Sequence, residues 1–171
     1  SDVVLQRDAR RVYAIDVGYG QLDWRIRADP RVVVVERTNI RYLETLPAPD
    51  GAPELADCGV VDVSFISLNL VLPAMRRLMR PEGWIVALIK PQFEAGPESV
   101  GKGGIVRDPA VHAAVLERVV AQAAALGLAT AGLCASPITG SEGNREFLGW
   151  FVRAEGHPAF DPAQIKALVA P

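Results

Sequence analysis

Long apolar runs are scarce in this 171-residue chain. None approaches the roughly 18 residues a helix needs to cross a bilayer, so no membrane role is expected. No charged-then-apolar leader opens the sequence, and a cytoplasmic location is expected rather than secretion. Cysteine is almost absent: Cys58 and Cys134 stand in strand-like apolar settings without metal-ligand spacing. They read as buried free thiols, which suits a reducing compartment. Histidine is as rare, and His112 and His157 have no partner at ligand spacing. Both read as structural, and no metal site is read. No serine or cysteine has a histidine suited to a nucleophile–base pair, which sets hydrolase readings aside. Low-complexity segments are missing too. Hydrophobic residues make up 50% of the chain, enough for one folded domain with a sizeable core. The net charge of −2 does not announce a nucleic-acid binder. The clusters Arg7, Arg10, Arg11 and Arg76, Arg77, Arg80 read as solvated helix faces and ends, although local patches can hold phosphates.

What is present is an alternation of strand-like and helix-like stretches. Residues 1–8 read as the tail of a helix. Val12 to Val17 is a buried strand with Asp16 near its carboxyl end, and a short helical piece around Gln21 to Arg27 stops at Asp29-Pro30. Val32 to Glu36 is continuous and β-branched, a strand buried on both faces. The segment 47–53 is a loop. Gly59-Val60-Val61 leads into Asp62, and helical spacing then runs through Val71, Met75, Leu78 and Met79 to a stop at Pro81-Glu82-Gly83. Pro73 belongs in or near the first turn of that helix. Trp84 to Ile89 is a strand closed by Lys90, and 96–107 is a glycine-rich loop. Asp108-Pro109 caps and starts a helix whose face is Val111, Val115, Val119, Ala123 and Leu126, with Gly127 as its stop. Leu128 to Cys134 and Phe147 to Arg153 form a late strand pair, and Asp161-Pro162 opens a short terminal helix. The order predicts an α/β doubly wound, mostly parallel sheet with an antiparallel hairpin at one edge. No strand precedes the first helix, where a parallel sheet calls for one.

Three charged residues fall where such a sheet presents its ligand edge, outside the carboxyl ends of parallel strands. Asp62 follows one strand, Lys90 closes the next, and Glu146 stands before Phe147. Each singly fits an ion pair; together, at the ends of different strands, they point to an active site. Asp16 is placed to accept hydrogen bonds from ribose hydroxyls, and Asn39 to contact an adenine edge, although a turn asparagine explains Asn39 better when it is taken alone. The segment Gly96 to Gly103 meets part of a phosphate-loop pattern, but Gly103 replaces the Ser or Thr after Lys102. A nucleoside triphosphatase is therefore rejected. The loop reads as a mobile lid, with Lys102 and Arg107 available to a polyanion.

The motifs Asp-Val-Gly-Tyr-Gly-Gln-Leu (16–22), Glu-Arg-Thr-Asn (36–39), Asp-Val-Ser-Phe-Ile-Ser-Leu (62–68), Lys-Pro-Gln-Phe-Glu (90–94), Val-Gly-Lys-Gly-Gly (100–104) and Gly-Asn-x-Glu-Phe-Leu (143–148) closely resemble the TlyA family of hemolysin-named, FtsJ-like ribosomal RNA methyltransferases. The resemblance covers residues 1–153 and leaves 154–171 as a C-terminal tail with a short helix. It implies a Rossmann-like fold and methyl transfer from S-adenosylmethionine to a ribose 2′-hydroxyl of ribosomal RNA, with rRNA or a ribosomal subunit as partner. The family's catalytic set is lysine, aspartate, lysine, glutamate, and Asp62, Lys90 and Glu146 match the last three. It also implies that Asp16 holds the cofactor ribose, that Val17 is a cofactor-binding residue, that Asn39 lies beside the adenine and that Asp62 lies near the methionine end. Lys90 can act as base once burial and positive charge favour its neutral amine, while Asp62 and Glu146 oppose that and orient it.

The family's first lysine, first strand and glycine-rich cofactor turn would lie upstream of Ser1, together with its S4-type RNA-binding domain. Either residues precede the given sequence or the methyltransferase domain is N-terminally truncated; in the second case poor folding alone, weak cofactor binding and little activity are expected. Competing classes are a non-catalytic RNA-binding or assembly module, a membrane-active hemolysin and a nicotinamide dehydrogenase. The last shares Asp16 but leaves Asp62, Lys90 and Glu146 unexplained.

Overall fold

The structure is a computed structural model that describes residues 1–48, 51, 53–140 and 143–170. The 47–53 loop expected from the sequence thus lies partly outside the described residues. The chain divides into two compact units, Ser1–Leu55 and Ala56–Pro171.

In the first unit, helix α1 (Asp2–Gln6) precedes strand β1 (Val12–Ile15), helix α2 (Trp24–Arg27) and strand β2 (Val32–Val35). β1 and β2 pair in parallel, Val12 opposite Val32 and Ile15 opposite Val35. Both are half-buried along their whole length, so the fully buried β-branched strand expected at 32–36 is corrected. The Asp23 side chain caps α2 through the Arg25 amide. Asp29 pairs with Arg31, whose Nη1 also donates to the Leu5 carbonyl and ties α1 to the start of β2.

In the second unit, β3 (Ala56–Val61), helix α3 (Leu68–Leu78) and β4 (Met79–Ile89) come first. Helices α4 (Pro91–Glu94) and α5 (Pro109–Ala125), strands β5 (Leu128–Ala135) and β6 (Phe147–Arg153) and helix α6 (Ala163–Val169) follow. The sheet order is β3-β4-β6-β5. β3 and β4 are parallel, whereas β6 runs antiparallel to both neighbours. The late hairpin is as expected, and it inserts β6 between β4 and β5. In the β4–β6 register, Leu88 faces Leu148 and Ile89 faces Phe147.

Two boundaries differ from expectation. β4 begins at Met79 and runs through Pro81-Glu82-Gly83, because Met79 already pairs with Ala56 of β3. Tertiary pairing overrides the turn chemistry of those residues. Pro73 lies in the second turn of α3 rather than the first, since Ser67 caps the helix six residues earlier. Its missing amide leaves the turn one hydrogen bond short.

One sheet face is sealed. Val61, Ile85, Ala87, Ile89, Phe147 and Phe151 are buried there, with Leu68, Val71, Leu72 and Leu78 of α3 and Val115, Leu116, Val119 and Ala123 of α5 completing the core. Gly149 permits this packing: a Cβ there would lie 2.6 Å from the Phe151 ring. Alternation sends the intervening residues to the other face, where Val60 is 67% and Trp150 48% exposed. Cys58 and Cys134 share that fate and are exposed, which corrects the expectation of buried thiols. The terminal helix α6 packs on α5 through buried Ile165 and Val169. Arg145 donates to the carbonyls of Leu168, Val169 and Ala170 at its end. No helix among the described residues is long and apolar enough to cross a membrane.

Candidate active site

β3 ends at Val61 and β4 at Ile89, side by side and parallel, so Asp62 and Lys90 leave the sheet at the same edge. The Lys90 Nζ lies 2.7 Å from Asp62 Oδ1 and donates to Ser64 Oγ at 3.0 Å. The Lys90 side chain is 13% exposed and that of Asp62 66%. The lysine is thus tucked under an acid that faces solvent. Phe93, one helical turn on, places its ring 6.0 Å from the same Nζ.

Phe65 completes the rim. Its ring is 4.9 Å from that of Phe93, it is 90% exposed, and its backbone has φ 61°. A bulky side chain in the left-handed region is strained, and such strain collects at functional positions.

Glu146 precedes β6 and joins the set through Gln92, whose Nε2 donates to its Oε1 at 3.0 Å. Glu146 is buried. Gly140 passes so close that a Cβ there would lie 2.1 Å from Oε1. The three residues of the sequence-derived set are therefore assembled around α4. Lys90 precedes that helix and Gln92 lies within it.

Lys102 and Arg107 are exposed on the 100–107 segment, which an antiparallel bridge between Gly101 and Ile105 closes into a turn. Asn144 anchors this turn from the Glu146 side. Its Oδ1 accepts from the Val106 amide at 3.0 Å, and its Nδ2 donates to the Gly104 carbonyl at 2.9 Å. Buried His112 meets the Val106 carbonyl through Nε2 at 3.1 Å.

Asp16, Val17 and Asn39 belong to the first unit. Asp16 follows β1, is exposed, and accepts the Gly18 amide on Oδ1 at 2.6 Å. Its carbonyl accepts the Thr38 amide at 3.0 Å, which sets it beside the turn after β2. Asn39 caps that turn, with Oδ1 accepting the Arg41 amide at 3.1 Å. The structural role allowed for Asn39 is thus present, and its Nδ2 is the group that could meet a base. Val17 is exposed, 68%. An exposed acid beside an asparagine at the carboxyl ends of two parallel strands fits an adenosine: the carboxylate suits ribose hydroxyls and the amide an adenine edge. No group of three or more His, Cys, Asp or Glu among the described residues could hold a metal ion.

Sequence reasoning did not single out Ser64, Phe65, Gln92, Glu94 or Asn144. All five lie inside the motifs quoted above, and their neighbours across 26 to 54 residues give them meaning only in three dimensions.

The α/β architecture, helices packed on a mixed sheet, is that of a Rossmann-like methyltransferase. The FtsJ-like methyltransferase profile matches residues 1–153, and the chain belongs to that family. The Bacillus subtilis protein YqxC, named as an rRNA methyltransferase, is 56% identical over 148 residues, 86% of this chain and 52% of its own length. The Mycobacterium tuberculosis 16S/23S rRNA (cytidine-2′-O)-methyltransferase TlyA is 47% identical over 150 residues, 88% of this chain and 54% of its own. A solved structure of a hemolysin-named protein from Streptococcus thermophilus superposes with a TM-score of 0.89 at 46% identity, covering 98% of this chain and 60% of that one. The chain spans about half the length of these two curated relatives.

Proposed function

We propose that this chain is the catalytic portion of an RNA methyltransferase that moves a methyl group from S-adenosylmethionine to a ribose 2′-hydroxyl of ribosomal RNA. The observation that carries the reading is the half-buried Lys90 held by Asp62 and Ser64 at the carboxyl edge of two parallel strands. Residues 1–153 act as the methyltransferase domain and 154–171 as its tail.

When bound, S-adenosylmethionine supplies a methyl group already activated by its sulfonium. The protein's remaining tasks are alignment and proton removal. In the first unit, Asp16 takes the cofactor ribose, with Val17 next to it in the chain, and Asn39 takes the adenine edge. Lys90 takes the proton of the attacking hydroxyl, with Asp62 and Ser64 fixing its Nζ and Glu146 held alongside through Gln92. Exposed Phe65 offers an aromatic face of the kind unstacked bases lie on. Lys102 and Arg107 meet phosphates from a turn whose base is pinned by Asn144. An rRNA or a ribosomal subunit as partner places the reaction in the cytoplasm.

Calorimetric titration of S-adenosylmethionine, followed by transfer of labelled methyl to ribosomal subunits, tests this. Saturable binding and label mapped to a 2′-O-methyl nucleoside are expected. A folded chain that binds cofactor yet labels a base or no RNA overturns the assignment.

A further inference from the structure

Asp62 has to hold Lys90 from a segment with little regular structure. The stretch 62–67, between β3 and α3, carries Asp62, Ser64 and the strained Phe65. Its far end is fixed by a carboxylate outside the catalytic set. Glu94 is buried at the end of α4, where its Oε2 accepts the Ser67 hydroxyl at 2.7 Å and its Oε1 the Leu68 amide at 2.7 Å. Ser67 Oγ in turn accepts the Asn69 amide at 3.2 Å, and Arg118 of α5 donates to the Glu94 carbonyl.

Lys90 and Glu94 bracket one helical turn, and both grip the same segment. Lys90 reaches Asp62 and Ser64; Glu94 reaches Ser67 and Leu68. Ser67 alone would cap α3, as serine commonly does. Burying a second, charged acceptor at that helix start carries a desolvation cost. What it adds is charge-assisted bonds at the positive end of the helix and a link across 26 residues of sequence.

We propose that Glu94 is a positioning residue for the Lys90–Asp62 pair. Its carboxylate clamps the 62–68 segment to α4 and so sets where Lys90 faces the reacting hydroxyl. The effect on turnover rests on the methyl-transfer reading above; the clamp itself does not.

The chain has three lysines, Lys90, Lys102 and Lys166, and the last two are exposed. Trace acetylation read by mass spectrometry therefore reports on Lys90 with two internal references. In Glu94→Ala, Lys90 should be acetylated about fivefold faster or more through local opening, with Lys102 and Lys166 unchanged. Glu94→Gln should return the rate most of the way to the parental one, because its amide oxygen can accept from Leu68 and its amino group can donate to Ser67, keeping the link without the charge. Turnover should fall about 10- to 100-fold in Glu94→Ala and recover in Glu94→Gln. An unchanged Lys90 rate in Glu94→Ala overturns the clamp. Should that variant unfold, seen as equal acceleration at all three lysines, Ser67→Ala decides: selective acceleration at Lys90 supports the clamp, and none overturns it. A parent chain that methylates nothing while its Lys90 responds in this way keeps the clamp and refutes the activity.

Discussion

Gln92, inside α4, and Glu146, just ahead of β6, meet at 3.0 Å, amide nitrogen to carboxylate oxygen. A carboxylate only accepts, so the amino group of Gln92 must face it, and the orientation of the amide is fixed by chemistry. The Gln92 amide oxygen, Oε1, is left buried without a hydrogen-bond partner. Glu146 is therefore delivered to the site by its neighbour, and whatever moves it should be read in turnover before it is read in folding.

Gly140 gives the direct test of that delivery. A methyl group there would press on Glu146. Gly140→Ala should cost about 1–3 kcal/mol of stability if the carboxylate must shift. Turnover should drop in a chain that still melts cooperatively. Parental kinetics in this variant would show that Glu146 has slack.

Lys90→Ala should reduce methyl transfer by about 10²- to 10⁴-fold, the usual contribution of a general base. Cofactor affinity should stay within error, because the contacts assigned to adenosine come from other residues. Single-turnover transfer and calorimetry separate the two; retained turnover removes Lys90 from the role of base.

Asp16→Ala should weaken S-adenosylmethionine binding, by about 1.5–3 kcal/mol for a lost hydrogen bond to a charged group. The rate at saturating cofactor should change far less. An unchanged dissociation constant takes Asp16 out of the ribose site.

His112 gives the fold a pH dependence with a definite sign. Burial, with Arg145 nearby, holds its imidazole below the ordinary value of 6.5, against the Val106 carbonyl and Asp108, which favour the charged form. The native state thus binds the proton less readily than the unfolded one. The stability this contributes is complete above about pH 6.5 and is lost as pH falls through the folded value. Melting temperature should decline between about pH 7 and pH 5, and His112→Gln should flatten the decline. Asp29 does not confound this window: Arg31 beside it holds its carboxyl at about 2. A parallel decline in His112→Gln would assign the effect elsewhere.

Strand ends and caps made much of this architecture readable. Asp108-Pro109 starts α5 as expected, the Asp108 side chain accepting the Ala110 amide, and β6 has its expected limits. The Lys90–Asp62 pair was legible because charge after an apolar run marks a sheet edge. Helix α4 was not, since four residues show no periodicity. Nor was the exposure of Cys58 and Cys134, because alternation tells which residues share a face but not which face the helices cover. Gln92 and Glu94 escaped for a related reason: a polar side chain has no meaning until its distant partner is known.

The β4–β6 ladder has a consequence for how such a site can vary. Its rungs pair Leu88 with Leu148 and Ile89 with Phe147, and Lys90 and Glu146 stand one step beyond the last. Their separation is counted out in peptide units by the ladder, like marks on a ruler. The intervening turns can lengthen or shorten without disturbing that count. One residue inserted within β6 would shift Glu146 by about 3.3 Å and invert the facing of the strand beyond it. The spacing of Lys90 and Glu146 is insulated from those turns and exposed to the register of the sheet.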